Sequence, residues 1–181
     1  MSFESVVEVT AAGGGAEPAV LENVPFDELF IGQTAERVKR LTWADVQAFA
    51  AVSGDTNPAH LDPAYAAQTQ FHDIVAHGMW TGALISAVLG TQLPGLGTIY
   101  LGQNLRFSRP VHIDDTVTVR VMVRELQAEK RRVVLDCLVV NQRGETVVSG
   151  DALVMAPAQK VRRPPVALPW LKLQPAEQDP A

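Results

Sequence analysis

The eleven residues SGDTNPAHLDP, from Ser53 to Pro63, hold two aspartates, a histidine, an asparagine, a glycine and two prolines. A turn calls for Gly, Asn and Pro. It has no need of an acid and an imidazole five positions apart. Asp55 and His60, held near each other, could remove and deliver protons within one turnover. Pro58 stiffens the segment between them, and Asn57 can bond its own neighbouring backbone in an Asx-type turn. Stiffness suits a catalytic pair, because a small misplacement is costly. A plainer use stays open: Asp55 caps a turn, and His60 caps or solvates the next helix.

A second stretch, His77-Gly78-Met79, opens an apolar run. A helix that begins there leaves its first backbone N–H groups without intrahelical partners. Those donors, with the positive end of the helix dipole, suit a developing negative oxygen. Gly78 lets a ligand reach the backbone with no side chain in the way. An ordinary helix start with Gly near its cap would read the same. The two stretches together make a coherent site for chemistry beside a carbonyl.

Metal binding is the competing use of Asp55, His60, Asp62, His72 and His77. Their spacing fits no zinc pattern, and neither H-x-x-x-H nor C-x-x-C occurs, so no metal is expected. No G-x-S-x-G marks a nucleophilic serine. His72 and His112 read as surface residues.

Several elements must position these groups. Thr42, with Asp45 three residues on, resembles a capping box for a helix carrying Trp43, Val46, Phe49, Ala50 and Val52. Ser53-Gly54 ends it, since Gly accepts the left-handed cap conformation. Asp62 and Pro63 fit the N-cap and first position of a second helix running through AYAAQTQ. The third, HGMWTGALISAVLG from His77 to Gly90, is apolar on nearly every face. It should be buried all round or wrapped by a sheet. After Pro94-Gly95 the period falls to two. Strands are expected at Ile99–Phe107, from Thr116 (Val117, Val119, Val121 and Val123 on one face), from Arg132 and from Glu145. Turns fall at Asp114-Asp115, Ala128-Glu129-Lys130 and Gln142-Arg143-Gly144. Helices first and an antiparallel meander last give an α+β fold. A sheet curled around the apolar helix is one form; an open sheet with helices on one face also fits.

The chain has 181 residues, 47% of them hydrophobic, enough for one domain with tails. A net charge of -5 argues against a nucleic-acid binder, which would show a basic patch. Cys137 is the one cysteine, so no internal disulfide can form; it reads as a buried thiol. No run reaches the length of a membrane span, and MSFESVVEVT lacks the marks of a signal peptide. A cytoplasmic protein without membrane contact is expected. Residues 1–24, with the Gly-rich AAGGGAEP, read as a flexible lead-in, 25–156 as the folded domain, and 157–181, with six prolines, as a tail or linker.

FAAVSGDTNPAHLDPAYA, IVAHGMWTGALISAVLG and LPGLGTIYLGQNLRFSRPV, in that order, resemble the MaoC-like (R)-specific enoyl-CoA hydratases. The likeness covers about residues 26–156. It implies a hot-dog fold, a long central helix wrapped by an antiparallel sheet, in a homodimer or higher homo-oligomer. It implies that Asp55 is the catalytic acid and His60 the catalytic histidine, and that the Gly78 N–H meets the thioester carbonyl. It also implies that Asn57 braces the loop and that Ser86, inside the central helix, supports the site. The substrate would be an acyl-CoA, with no separate cofactor. Trp80, Thr81 and Leu84 are candidates for the acyl channel, and Arg106, Arg109, Lys130 and Arg132 for the CoA phosphates. The domain and tail are also similar to the N-terminal part of bifunctional enoyl-CoA hydratase/phosphate acetyltransferases. A thioesterase on the same fold, or a non-catalytic acyl-CoA- or protein-binding module, are the alternatives.

Overall fold

The computed structural model describes residues 20–168 and the backbone of residues 7–8 and 172–173. The Gly-rich 11–18 stretch, Trp170 of ALPWLKL and the closing QPAEQDPA lie outside the described residues. In chain order the elements are β1 (Val7–Glu8), β2 (Leu21–Glu22), β3 (Thr34–Arg40), α1 (Trp43–Ser53), α2 (Pro58–Leu61), α3 (Pro63–Ala66) and α4 (Gly78–Thr91). Then follow β4 (Ile99–Phe107), β5 (Thr116–Gln127), β6 (Arg132–Asn141), β7 (Thr146–Met155), β8 (Arg162–Arg163) and β9 (Lys172–Leu173).

Five strands form one antiparallel sheet in the order β3-β5-β6-β7-β4. Along β5, Val117, Val119, Val121 and Val123 are fully buried, as their period of two requires. Val133, Leu135 and Val139 of β6 and Ala152 and Val154 of β7 continue that buried face. Burying each Val or Leu contributes about 1.5–3 kcal/mol. The face packs on α4, whose Trp80, Ile85, Val88 and Leu89 join the same core. This is the hot-dog arrangement, an α+β fold with the sheet laid around its longest helix.

The structure corrects one expectation, adds a strand and decides one alternative. Strand β3 shows no strand signal in the sequence. It pairs with β5 from Thr34↔Met122 to Arg40↔Thr116 and makes the fifth strand. Strand β4 does not neighbour β5, although the Asp114-Asp115 turn leads from one towards the other. It crosses to the far edge and pairs with β7, so only β5, β6 and β7 form a meander. Helix α4 is not buried all round. Met79, Ala83, Ser86 and Gly90 form an exposed stripe, because the sheet covers only the other side.

The caps follow the sequence. Thr42 Oγ1 accepts from Asp45 N, and Asp45 Oδ2 accepts from Thr42 N, completing a capping box. Gly54 closes α1 at φ 75°, its N–H donating to Ala50 O. Val52 points to solvent. Helix α3 stops at Ala66 and does not reach Gln70. There the Thr69 hydroxyl donates to Ala66 O and accepts from Phe71 N, drawing the chain into turns.

Strands β2 and β8 pair beside the sheet. Buried Asn23 lies between them and the core, its amide donating to Leu96 O and Gln159 O and its carbonyl accepting from Val161 N. Among the described residues no helix is long and apolar enough to cross a membrane.

Candidate active site

Helix α1 ends at Gly54, and the chain turns at once into Asp55. Ser53 Oγ donates to Phe49 O and accepts from Asp55 N, tying the start of the loop to the helix end. Asp55 Oδ1 accepts from Asn57 N. Asn57 Oδ1 accepts from Ala59 N and so caps α2, with Pro58 at its first position. The short helix α2 places His60 one turn on. Ser53, Asp55 and Asn57 thus hold the loop by local bonds of the kind Ser, Asp and Asn are suited to make.

The segment Ile74–His77 runs past this loop. Val75 N donates to Ala59 O, and Ala76 N to Val111 O. His60 Nδ1 lies 2.7 Å from Val75 O. A carbonyl can only accept, so Nδ1 carries a proton and Nε2 is left for other work. His77 stacks on His60, with ring centroids 4.0 Å apart, and on Phe49 of α1 at 5.1 Å. Its Nε2 lies 2.9 Å from the backbone oxygen of Asp55.

One ligating atom from each of Asp55, His60 and His77 lies within 4.8 Å of the others. A carboxylate and an imidazole at that separation can hold a single water between them. These three are also the described residues that could offer ligands to a metal ion. Each histidine has one ring nitrogen already committed to a carbonyl, so only one per ring is open.

His60, His77 and Gly78 line a cavity of about 340 Å³. Phe71, Val75, Phe107, Pro110, Val111, Val147 and Val148 supply most of its wall, which suits an apolar ligand. Asp55 is exposed and reaches the two rings from outside that wall. Among the described residues no side chain caps α4, and its first turn holds no acid. Among the described residues the Gly78 N–H meets no backbone acceptor, so it is open to a ligand. The Thr81 hydroxyl, also in the wall, donates to Gly78 O at 2.6 Å and holds the first turn.

Asp55, His60, Asn57 and Gly78 therefore gather where the sequence grouped them. Thr81 and Arg109 line the cavity, and Arg109 also faces Glu145 at 3.8 Å. Trp80 does not line it: its indole is buried in the core. Leu84 packs half-buried against the core. Arg106 and Ser86 are exposed away from the wall, and Lys130 and Arg132 sit at the β5–β6 hairpin. From sequence, His77 reads only as a metal ligand or a helix start. Its place directly before Gly78 was the one available signal that it would stand beside the site.

Residues 30–142 match the family model for the MaoC like domain. The 3-hydroxybutyryl-CoA dehydratase of Methylorubrum extorquens is 45% identical over 139 residues, 77% of this chain and 88% of that protein. The (R)-specific enoyl-CoA hydratase of Aeromonas caviae is 47% identical over 129 residues, 71% of this chain and 96% of that protein. Among solved structures, the unliganded R-hydratase PhaJ1 of Pseudomonas aeruginosa superposes with a TM-score of 0.82 at 50% identity. That match covers 86% of this chain and 99% of that one.

Proposed function

Because the chain belongs to the MaoC-like domain family, we propose that it adds water reversibly to a trans-2-enoyl-CoA to give an (R)-3-hydroxyacyl-CoA. The observation that carries this reading is the approach of Asp55 and His60 beside a cavity opening on the Gly78 amide. The names of the relatives at 45–47% identity support it.

A water rests between the Asp55 carboxylate and His60 Nε2. Asp55 takes one of its protons while the oxygen bonds to C3. With Nδ1 committed to Val75 O, Nε2 is the nitrogen that carries the mobile proton; it delivers that proton to C2, and the proton taken by Asp55 then returns to Nε2 through the next water, restoring both groups. As the double bond accepts the oxygen, negative charge gathers on the thioester oxygen and meets the Gly78 N–H. Substrate and water supply every atom of the product. Dehydration is the same path reversed. The acyl chain lies against Phe71, Phe107 and Val148, and Arg109 stands at the wall towards the CoA phosphates.

Two copies of the chain pair through α4 and β4. Strand β4 ends the sheet with open backbone groups, and it carries Ile99, Tyr100, Leu101 and Phe107 exposed. An edge of this kind invites a second strand.

The test is incubation with crotonyl-CoA, following loss of the conjugated double bond, release of free thiol and the chirality of the product. Loss of conjugation without thiol, giving the (R) alcohol, is expected. Thiol release without hydration identifies a thioesterase, and no turnover identifies a binding module.

A further inference from the structure

We propose that His77 is a positioning residue, which fixes the distance between Asp55 and His60 and acts through both; this rests on the hydratase reading above. Three contacts support it. The His77 Nε2–H donates to the main-chain oxygen of Asp55 at 2.9 Å. The His77 ring lies against the His60 ring, with centroids 4.0 Å apart and planes inclined by 33°. Phe49 backs it from α1 at 5.1 Å. His77 thus touches both members of the pair and is itself 2% exposed, so packing leaves its ring little freedom.

The second ring nitrogen sharpens the assignment. His77 Nδ1 is buried and has no hydrogen-bond partner among the described residues. A proton on Nδ1 would create a buried donor and a buried positive charge with nothing to receive them. A proton on Nε2 alone leaves only an unfilled lone pair, the cheaper defect. His77 therefore carries its hydrogen on Nε2, where it grips the Asp55 carbonyl. It contributes no proton to the reaction. It keeps the loop carrying Asp55 from drifting relative to His60, and a drift of about 1 Å can cost about 100-fold in rate.

Two substitutions separate the parts of this role. His77→Phe keeps a ring against His60 and Phe49 but loses the donor. His77→Gln loses the ring but keeps an N–H at comparable reach. With crotonyl-CoA, His77→Phe should lower kcat about 30-fold and change KM less than about 3-fold, and His77→Gln should recover most of the loss. Combined with Asp55→Asn, His77→Phe should add less than about 2-fold, because there is then no catalytic carboxylate left to misplace. A residue needed only for folding would lower both backgrounds by the same factor, and that result overturns the proposal. So does a His77→Phe enzyme within about 3-fold of the native rate.

If His77→Phe does not fold, ¹⁵N-histidine NMR of the native protein decides. His77 should carry a hydrogen on Nε2. A ring with its hydrogen on Nδ1 alone overturns the proposal. Should the native protein fail to hydrate crotonyl-CoA, the hydratase reading fails first, and the NMR result still judges the His77 bond by itself.

Discussion

Replacing Gly78 with alanine should separate stability from activity. A Cβ built there stands 3.3 Å from Phe107 Cε1 and 3.5 and 3.6 Å from the next two ring carbons. That is tight, but the neighbour is one ring, itself about half exposed, and it can yield by a few tenths of an ångström. Alanine also favours helix over glycine by up to about 1 kcal/mol, less at a first helical position. The two effects oppose each other. Stability should change by less than about 1 kcal/mol, a shift in Tm within about 4 °C for a chain of this length. The methyl group, however, projects into the cavity between the α4 start and Phe107. In the proposed mechanism that is the path by which the thioester oxygen reaches the Gly78 N–H. Loss of one such donor costs about 100- to 1000-fold. A thermal melt and steady-state crotonyl-CoA hydration should show a near-native Tm with kcat/KM down at least about 100-fold. A folded Gly78→Ala enzyme with full activity would refute a role for this amide.

Other outcomes follow from the packing. Gly150 of β7 lies so close to β4 that an added Cβ would collide with the Asn104 carbonyl oxygen and stand 2.9 Å from its carbon. Both are backbone, so Gly150→Ala should cost about 2–3 kcal/mol, seen as a Tm lower by about 5–10 °C. Burial pushes the Cys137 thiol up to about 11. The native protein should therefore resist a thiol reagent at pH 8 and react fully only in denaturant. Because the folded state holds this proton more tightly, its contribution to stability is present below about pH 9. It should be lost as pH rises through about 11, which denaturant titrations at several pH values can follow. Ala83→Arg, on the exposed stripe of α4, should convert a dimer to a monomer in sedimentation velocity; a native monomer, or an unaffected dimer, would remove the proposed interface.

What the sequence revealed follows the range of the interactions involved. The Thr42–Asp45 cap, the Gly54 stop and the Asn57 turn close within three or four residues, so residue type and spacing were enough. The alternating valines of β5 were equally plain, since one face is wholly buried. Strand β3 was hidden for the opposite reason. Its sequence, TAERVKR, lies mostly in solvent at the sheet edge and shows no apolar alternation; pairing with β5 makes it a strand. Helix α2 has four residues, too few for a period to emerge. The partner of β4 lies some forty residues away in β7, and no local pattern records that choice. The same holds at the site. Asp55 and His60 share one loop and were found together, whereas the stack of His77 on His60 and Phe49 joins three segments of the chain. Ser86, implied by resemblance alone, lies two turns beyond Gly78 on the exposed side of α4.

The central claim is that Asp55 and His60 jointly activate water. Its most direct test is crotonyl-CoA turnover by Asp55→Ala and His60→Ala, measured beside the native enzyme with circular dichroism to confirm folding. Each should lose at least about 100-fold in kcat. Near-native turnover in both folded variants would contradict it.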